Sequence, residues 1–100
     1  MAKRVIWSEN AFHDKVQLFS YWNHRNKSNL YNRKLNKLFK ETIKSILRNS
    51  TLGRNTNFEN VKRMIVSDYL LIYEESETHL VILRIWDSRQ EPIKIKYKVE

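Results

Sequence analysis

The chain has no cysteine, a single glycine, a single proline and no apolar run approaching the length of a membrane span. Without cysteine, disulfide frameworks, thiolate zinc sites and a cysteine nucleophile are excluded, and a reducing compartment fits. One glycine, Gly53, leaves no glycine-rich phosphate loop and no G-x-S-x-G elbow. The opening MAKRVIWSEN lacks the apolar core of a secretory signal, so a soluble cytoplasmic protein with no membrane partner is expected. His13 and His24 lie about 16 Å apart along a helix, and no pair of carboxylates is spaced to join either one or His79. Neither a metal site nor a cofactor is expected. At 100 residues the chain makes one domain, 1–100, with a modest core.

Positive charge is abundant and unevenly placed. The net charge is +8, and residues 25–48 carry eight basic side chains against Glu41 alone. A one-sided basic field favours an anionic partner, either nucleic acid or an acidic protein segment.

Arg4 to Trp7 is short and β-branched and reads as a first strand. Ser8 then has the chemistry of a helix N-cap, with Glu9 near the positive end of the helix dipole. Ala11 or Phe12, Val16, Phe19 and Trp22 or Asn23 recur at helical spacing, predicting an amphipathic helix to about His24. The segment 26–28 breaks it, and Ser28 or Asn29 caps a second helix over about Leu30 to Arg48. That helix is expected to bury Tyr31, Leu35, Leu38, Thr42 and Ile46, with Phe39, Ile43 and Leu47 widening the stripe. Its other side carries Arg33, Lys37, Lys40, Lys44 and Arg48 in a continuous basic line. Residues 49–60 form a polar connection in which Gly53 offers positive φ at low cost.

The organising stretch is 61–92. Three runs rich in Val, Ile, Leu, Tyr and Trp are parted by Ser67-Asp68 and by 75–78, predicting strands over about 61–66, 69–74 and 79–86. A two-residue loop at Ser67-Asp68 sets Val66 opposite Tyr69, Ile65 opposite Leu70 and Arg63 opposite Ile72. With an even second turn, one face collects Lys62, Met64, Val66, Tyr69, Leu71, Tyr73, Leu80, Ile82, Arg84 and Trp86. The other collects Val61, Arg63, Ile65, Leu70, Ile72, Val81, Leu83 and Ile85. Both faces are apolar, whereas a sheet with one wet side alternates. Two helices cover about one face, so part of the second is expected to dock another molecule. After Pro92, the tail IKIKYKV alternates as an edge strand does. The resulting class is α+β: an N-terminal strand, a helical hairpin, then an antiparallel meander of three to four strands with the helices on one sheet face.

The candidate binding residues are cations and aromatics: Lys62, Arg84 and Trp86 on the strands, and Arg33, Lys37, Lys40 and Lys44 on the second helix. The basic helix line reads either as a solvated face or as a binder of phosphate backbone or acidic protein. Arg84, flanked by Leu83 and Ile85, needs water or a partner; it either bridges to Asp87, Asp68 or a helix acid, or forms a cationic site on the sheet. Arg89 lies in a loop where nothing structural obviously requires it.

These residues, taken in order, resemble the RelE/ParE superfamily, the toxin halves of type II toxin-antitoxin pairs. The resemblance runs through V-I-W-S at 5–8 with Ala11, YW-x-x-RN-K-S at 21–28, L-G-R at 52–54, N-V-K-R at 60–63, D-Y-L-L-I-Y at 68–73 and I-L-R-I-W-D-S-R-Q at 82–90. It implies a toxin that arrests growth when free, a cognate antitoxin that wraps it, and operator DNA bound indirectly through that antitoxin. RelE-like members cleave mRNA in the ribosome without metal, and the resemblance places Arg63 and Arg89 at basic positions of that catalytic set. Leu70 stands where that branch carries an arginine, and Ile95 where it carries a tyrosine, with Tyr97 two residues on. The I-L-R stretch is similar to ParE-like members, which act on DNA gyrase. The expectation is therefore a toxin of ParE-like type, with an mRNA endonuclease and a basic nucleic-acid-binding module without toxin activity as the alternatives.

Overall fold

The computed structural model describes residues 3–26, 29–49 and 51–87. The elements run β1 (Arg4–Trp7), α1 (Glu9–Asn26), α2 (Leu30–Arg48), β2 (Arg54–Asn55), β3 (Val61–Val66), β4 (Tyr69–Glu75) and β5 (His79–Asp87). They form one five-stranded sheet in the order β1-β5-β4-β3-β2. The meander pairs antiparallel, while β1 lies parallel to β5, a pairing that requires the crossover the intervening chain makes. This is the expected α+β architecture. The tail strand expected after Pro92 lies outside the described residues. Among the described residues no helix is long and apolar enough to cross a membrane.

Ser8 joins the first strand to the first helix. Its Oγ accepts the Ala11 N–H at 3.0 Å as an N-cap, and its hydroxyl donates to the Leu83 carbonyl at 3.0 Å. Asn29 occupies the N-cap of α2 but makes no side-chain capping bond. The C-terminus of α2 closes at Asn49, whose N–H returns to the Ser45 carbonyl at 3.0 Å.

The buried stripe of α2 is Asn32, Leu35, Phe39, Ile43 and Ile46, rotated from the expected one: Leu38 is exposed. Asn32 tolerates burial because its Nδ2 donates to the Phe19 carbonyl at 2.7 Å and to Asn23 Oδ1 at 2.8 Å, pinning α2 to α1. On α1, Ala11 is buried and Leu18, Phe19 and Trp22 are half-buried, while Phe12 and Val16 are exposed. The main core joins these residues to Val66, Tyr69, Leu71, Tyr73, Leu80, Ile82 and Ile85.

The β3–β4 register is the expected one, with Val66 opposite Tyr69 through Lys62 opposite Tyr73, and Ser67 takes the positive φ of the tight turn. The β4–β5 register departs from expectation. Tyr73 faces Ile82 but Ile72 faces Arg84, so Leu83 is an extra residue in a bulge. The consequence is a swap: Ile85 joins the helix-side core, and Trp86 packs on the opposite face against the cluster of Val61, Leu70, Ile72 and Leu83.

That second cluster limits the expected docking face to part of its area. Val61, Leu70, Ile72 and Leu83 are all buried, Ile72 completely, so the centre of this face is not free for docking. Trp86, turned there by the bulge, and Val81 pack against it. Ile65, on the same face, stays 69% exposed.

Candidate functional site

Residues 49–60 do more than connect. β2 sets Arg54 opposite Arg63 and Asn55 opposite Lys62, and the ladder continues where Thr56 N–H bonds the Val61 carbonyl and Val61 N–H bonds the Phe58 carbonyl, both at 3.2 Å. Gly53 has no positive φ, contrary to expectation. It is small because it crosses the Tyr73 ring: a Cβ there would overlap the Tyr73 hydroxyl. Burial, and then the charge of Glu75, push the Tyr73 hydroxyl above its ordinary pKa, with the Gly53 backbone opposing. That hydroxyl is buried without a well-oriented hydrogen bond.

Beyond Arg54 towards Leu52 the chain leaves the ladder, and a groove of about 460 Å³ opens, lined by Leu52, Arg54, Arg63, Met64, Ile65 and Leu70. Cross-strand partners share a face, and both arginines line the groove. Neither enters an ion pair among the described residues. The groove therefore sets two cationic side chains beside the apolar Leu52, Met64, Ile65 and Leu70.

Arg84 and Trp86 lie towards the C-terminal end of β5, level across β4 with Arg63 and Ile65. Arg84 Nε and Nη2 donate to Asp14 Oδ2 and Oδ1 at 2.8 and 3.1 Å, and the guanidinium lies 5.1 Å from the Trp86 ring centroid. Asp14 Oδ2 also accepts the Ile85 N–H at 3.0 Å. Of the two readings of Arg84, the geometry matches a bridge to a helix acid. A cleft of about 350 Å³ lies beside it, lined in part by Asp14, Tyr21, Tyr69, Trp86 and Asp87.

The remaining candidates are dispersed. Lys62 faces the opposite side of β3 from Arg63 and lines a pocket with Lys3 and Glu75. Arg33, Lys37, Lys40, Lys44 and Arg48 are all exposed on α2. Arg89 lies outside the described residues. The structure therefore brings Arg84 to Trp86, and Arg63 to a residue not singled out from the sequence, Arg54. It does not gather the full set.

Lys15 is a second residue that sequence reasoning missed. Its Nζ sits 4.7 Å from the Trp7 ring centroid and 5.7 Å from that of Phe19. Burial, and then the charge of Lys40, hold its pKa below the ordinary lysine value. Lys15 thus links α1 to the basic line of α2. An i, i+4 match between Lys15 and Phe19 was the one sequence signal available.

The chain matches the family model described as the ParE toxin of the type II toxin-antitoxin system, parDE, over residues 5–92. No curated protein matches it. Its fold is similar to a chain of the chromosomal ParDE toxin-antitoxin system from P. aeruginosa, with a TM-score of 0.67 at 15% identity, covering 86% of this chain and 96% of that one. It is also similar to the YoeB dimer from Staphylococcus aureus, with a TM-score of 0.62 at 20% identity, covering 86% and 97%. The DinJ-YafQ toxin-antitoxin complex from E. coli is a third, with a TM-score of 0.51 at 16% identity, covering 87% and 93%.

Proposed function

The chain belongs to the ParE toxin family of type II toxin-antitoxin systems, and from that premise we propose that it arrests growth by acting on DNA gyrase and is silenced by a cognate antitoxin. The observation that carries the ParE-like reading is Leu70. Where the ribosome-dependent branch carries an arginine, this chain has a leucine that is 5% exposed, in an apolar cluster with Val61, Ile72 and Leu83. A cation for the developing phosphorane charge has no place at that position.

An antitoxin partner is supported by the ParDE and DinJ-YafQ neighbours, which are toxin-antitoxin assemblies. Operator DNA is reached through that antitoxin. In this reading the exposed line Arg33, Lys37, Lys40 and Lys44 contributes a positive field towards the target, and Lys62 on β3 adds to it. Arg84 and Trp86 form a contact surface whose shape Asp14 holds.

One observation favours the second reading, a metal-independent mRNA endonuclease. Arg63 lines an open groove and has no acidic partner among the described residues, so it is available to a phosphodiester; in that reading it acts with Arg89. Gyrase supercoiling and in vitro translation, run side by side with the refolded chain, separate the two. Inhibited supercoiling with normal translation is the expected result, and growth arrest is expected to persist in Arg63→Ala at equal expression. Blocked translation that Arg63→Ala and Arg89→Ala both restore would reverse the assignment.

A further inference from the structure

We propose that Lys15 is a covalent modification site, whose amine takes an acyl group from an acyl phosphate that Lys40 holds beside it. This chemistry does not depend on which target the chain acts on.

The first observation is the seat. Lys15 Nζ lies over the Trp7 ring of β1 at 4.7 Å and near the Phe19 ring of its own helix at 5.7 Å, both to the centroid. The side chain is half-buried there, and neither described ion pair includes it. Lys3, by contrast, is tied to Glu75 at 2.7 Å, and Lys34, Lys37, Lys40 and Lys44 stand exposed on α2. An amine among apolar rings has lost part of the water that stabilises its charged form, which is one of the two ways a lysine becomes a nucleophile.

The second is the neighbour. Asn32 Nδ2 donates to Asn23 Oδ1 across the hairpin, which fixes how the two helices are aligned. Eight residues back along α1 from Asn23 is Lys15, and eight on along α2 from Asn32 is Lys40, so the antiparallel helices bring the two level. A second cation beside the first is the other way to favour a free amine. Both causes act on Lys15 in the same direction, burial first and Lys40 second.

The third is the approach. Lys40 is exposed, with Lys37 and Lys44 about one turn away on the same line. That positive rim suits a small acyl donor whose leaving group is a phosphate. An ammonium on the phosphate also stabilises the charge it gains as it leaves. In the reaction the Nζ lone pair attacks the acyl carbon. The N–C bond forms as the C–O bond to phosphate breaks, inorganic phosphate departs with that electron pair, and the amine's proton passes to water. The product is a neutral amide on the same ring faces, so the like-charge contact with Lys40 ends and the hairpin presents one positive charge fewer.

The test incubates the full chain with acetyl phosphate near neutral pH and follows each lysine by mass spectrometry of its peptides. Lys15 is expected to acetylate about fivefold faster than Lys44, and the preference to vanish in concentrated urea, where neither seat nor neighbour exists. Lys40→Gln is expected to slow Lys15 about threefold with acetyl phosphate, but less with N-acetoxysuccinimide, a donor that carries no phosphate. Wild-type Lys15 that reacts within about twofold of Lys44, or more slowly, overturns the proposal: the rings then only hold an ammonium ion. A Lys40→Gln chain with wild-type rates for both donors removes Lys40 from the site and overturns its role in holding the phosphate. Acetyl-coenzyme A, run in parallel at equal concentration, separates the two donor classes that combine an acyl group with phosphate. Faster labelling of Lys15 by the thioester overturns the acyl phosphate assignment.

Discussion

The two long edges of the sheet are treated differently. On one side β1 stops at Trp7, level with Ile82, and β5 runs on to Asp87 with no further strand on that side among the described residues. There α1 supplies what the missing strand would: the Ser8 hydroxyl bonds the Leu83 carbonyl and Asp14 bonds the Ile85 N–H. On the other side β2 stops at Arg54, level with Arg63, and among the described residues no side chain bonds the backbone of β3 beyond it. Unpaired strand edges invite another chain, and proteins cap those that should stay alone. The capped edge is held by the chain's own side chains, whereas the other carries paired arginines and an exposed Ile65.

The contrast breaks most visibly at Asp14. Its carboxylate is largely buried, its side chain 12% exposed, and it serves both the Arg84 guanidinium and the Ile85 amide. Asp14→Ala strands both, so unfolding free energy is expected to fall by about 3 kcal/mol, since removing one partner leaves the other's desolvation uncompensated. Urea unfolding of wild type and variant measures it. A loss below about 0.5 kcal/mol, the scale of an exposed pair, would mean that the edge of β5 is not held by α1.

At the open edge the corresponding residue is Gly53, where the chain passes over Tyr73 just before it leaves the ladder. Gly53→Ala forces a Cβ into the Tyr73 hydroxyl and is expected to cost about 1 to 3 kcal/mol as overpacking. Tyr73→Phe removes that hydroxyl, which has no well-oriented hydrogen bond to lose, and is expected to be nearly neutral alone. The double variant should recover most of the loss, a coupling that a thermodynamic cycle reads directly. Additive losses would place the constraint in the Gly53 backbone instead.

Much of this was legible in the residues. The Ser67-Asp68 loop set the β3–β4 register, and Ser8 announced its helix, because both signals are local. The bulge at Leu83 left no trace: in a run of L-V-I-L-R-I-W both parities are apolar, so a slip of one residue changes no pattern. Hence Trp86 was placed on the wrong side. The stripe of α2 was misread for another reason. A buried Asn32 makes sense only once the Phe19 carbonyl and Asn23 are known to meet it. In the groove, Arg54 was hidden in what looked like a loop; its meaning comes from facing Arg63, which is a fact of pairing and not of spacing. Arg84 was half legible: its need for a partner followed from its neighbours, but the choice of Asp14 did not.

The smallest effect expected is at Lys15, which packs over Trp7 where the capped edge begins. Its pKa lies below the ordinary value, first from burial and second from Lys40, so in the window between its folded and ordinary values the unfolded chain holds a proton that the folded one has released. Stability from this group therefore rises as pH climbs through that window. Tyr73 runs the other way: raised by burial, it lets stability fall once pH exceeds the ordinary tyrosine value. Lys40→Gln removes the like charge beside Lys15 and should move the Lys15 titration upward, towards an ordinary lysine, as followed by NMR at its side chain. Lys44→Gln, one turn further along α2, should leave it where it was. If both shift it equally, Lys15 senses the general field of the basic helix, and its link to Lys40 is not a specific contact across the hairpin.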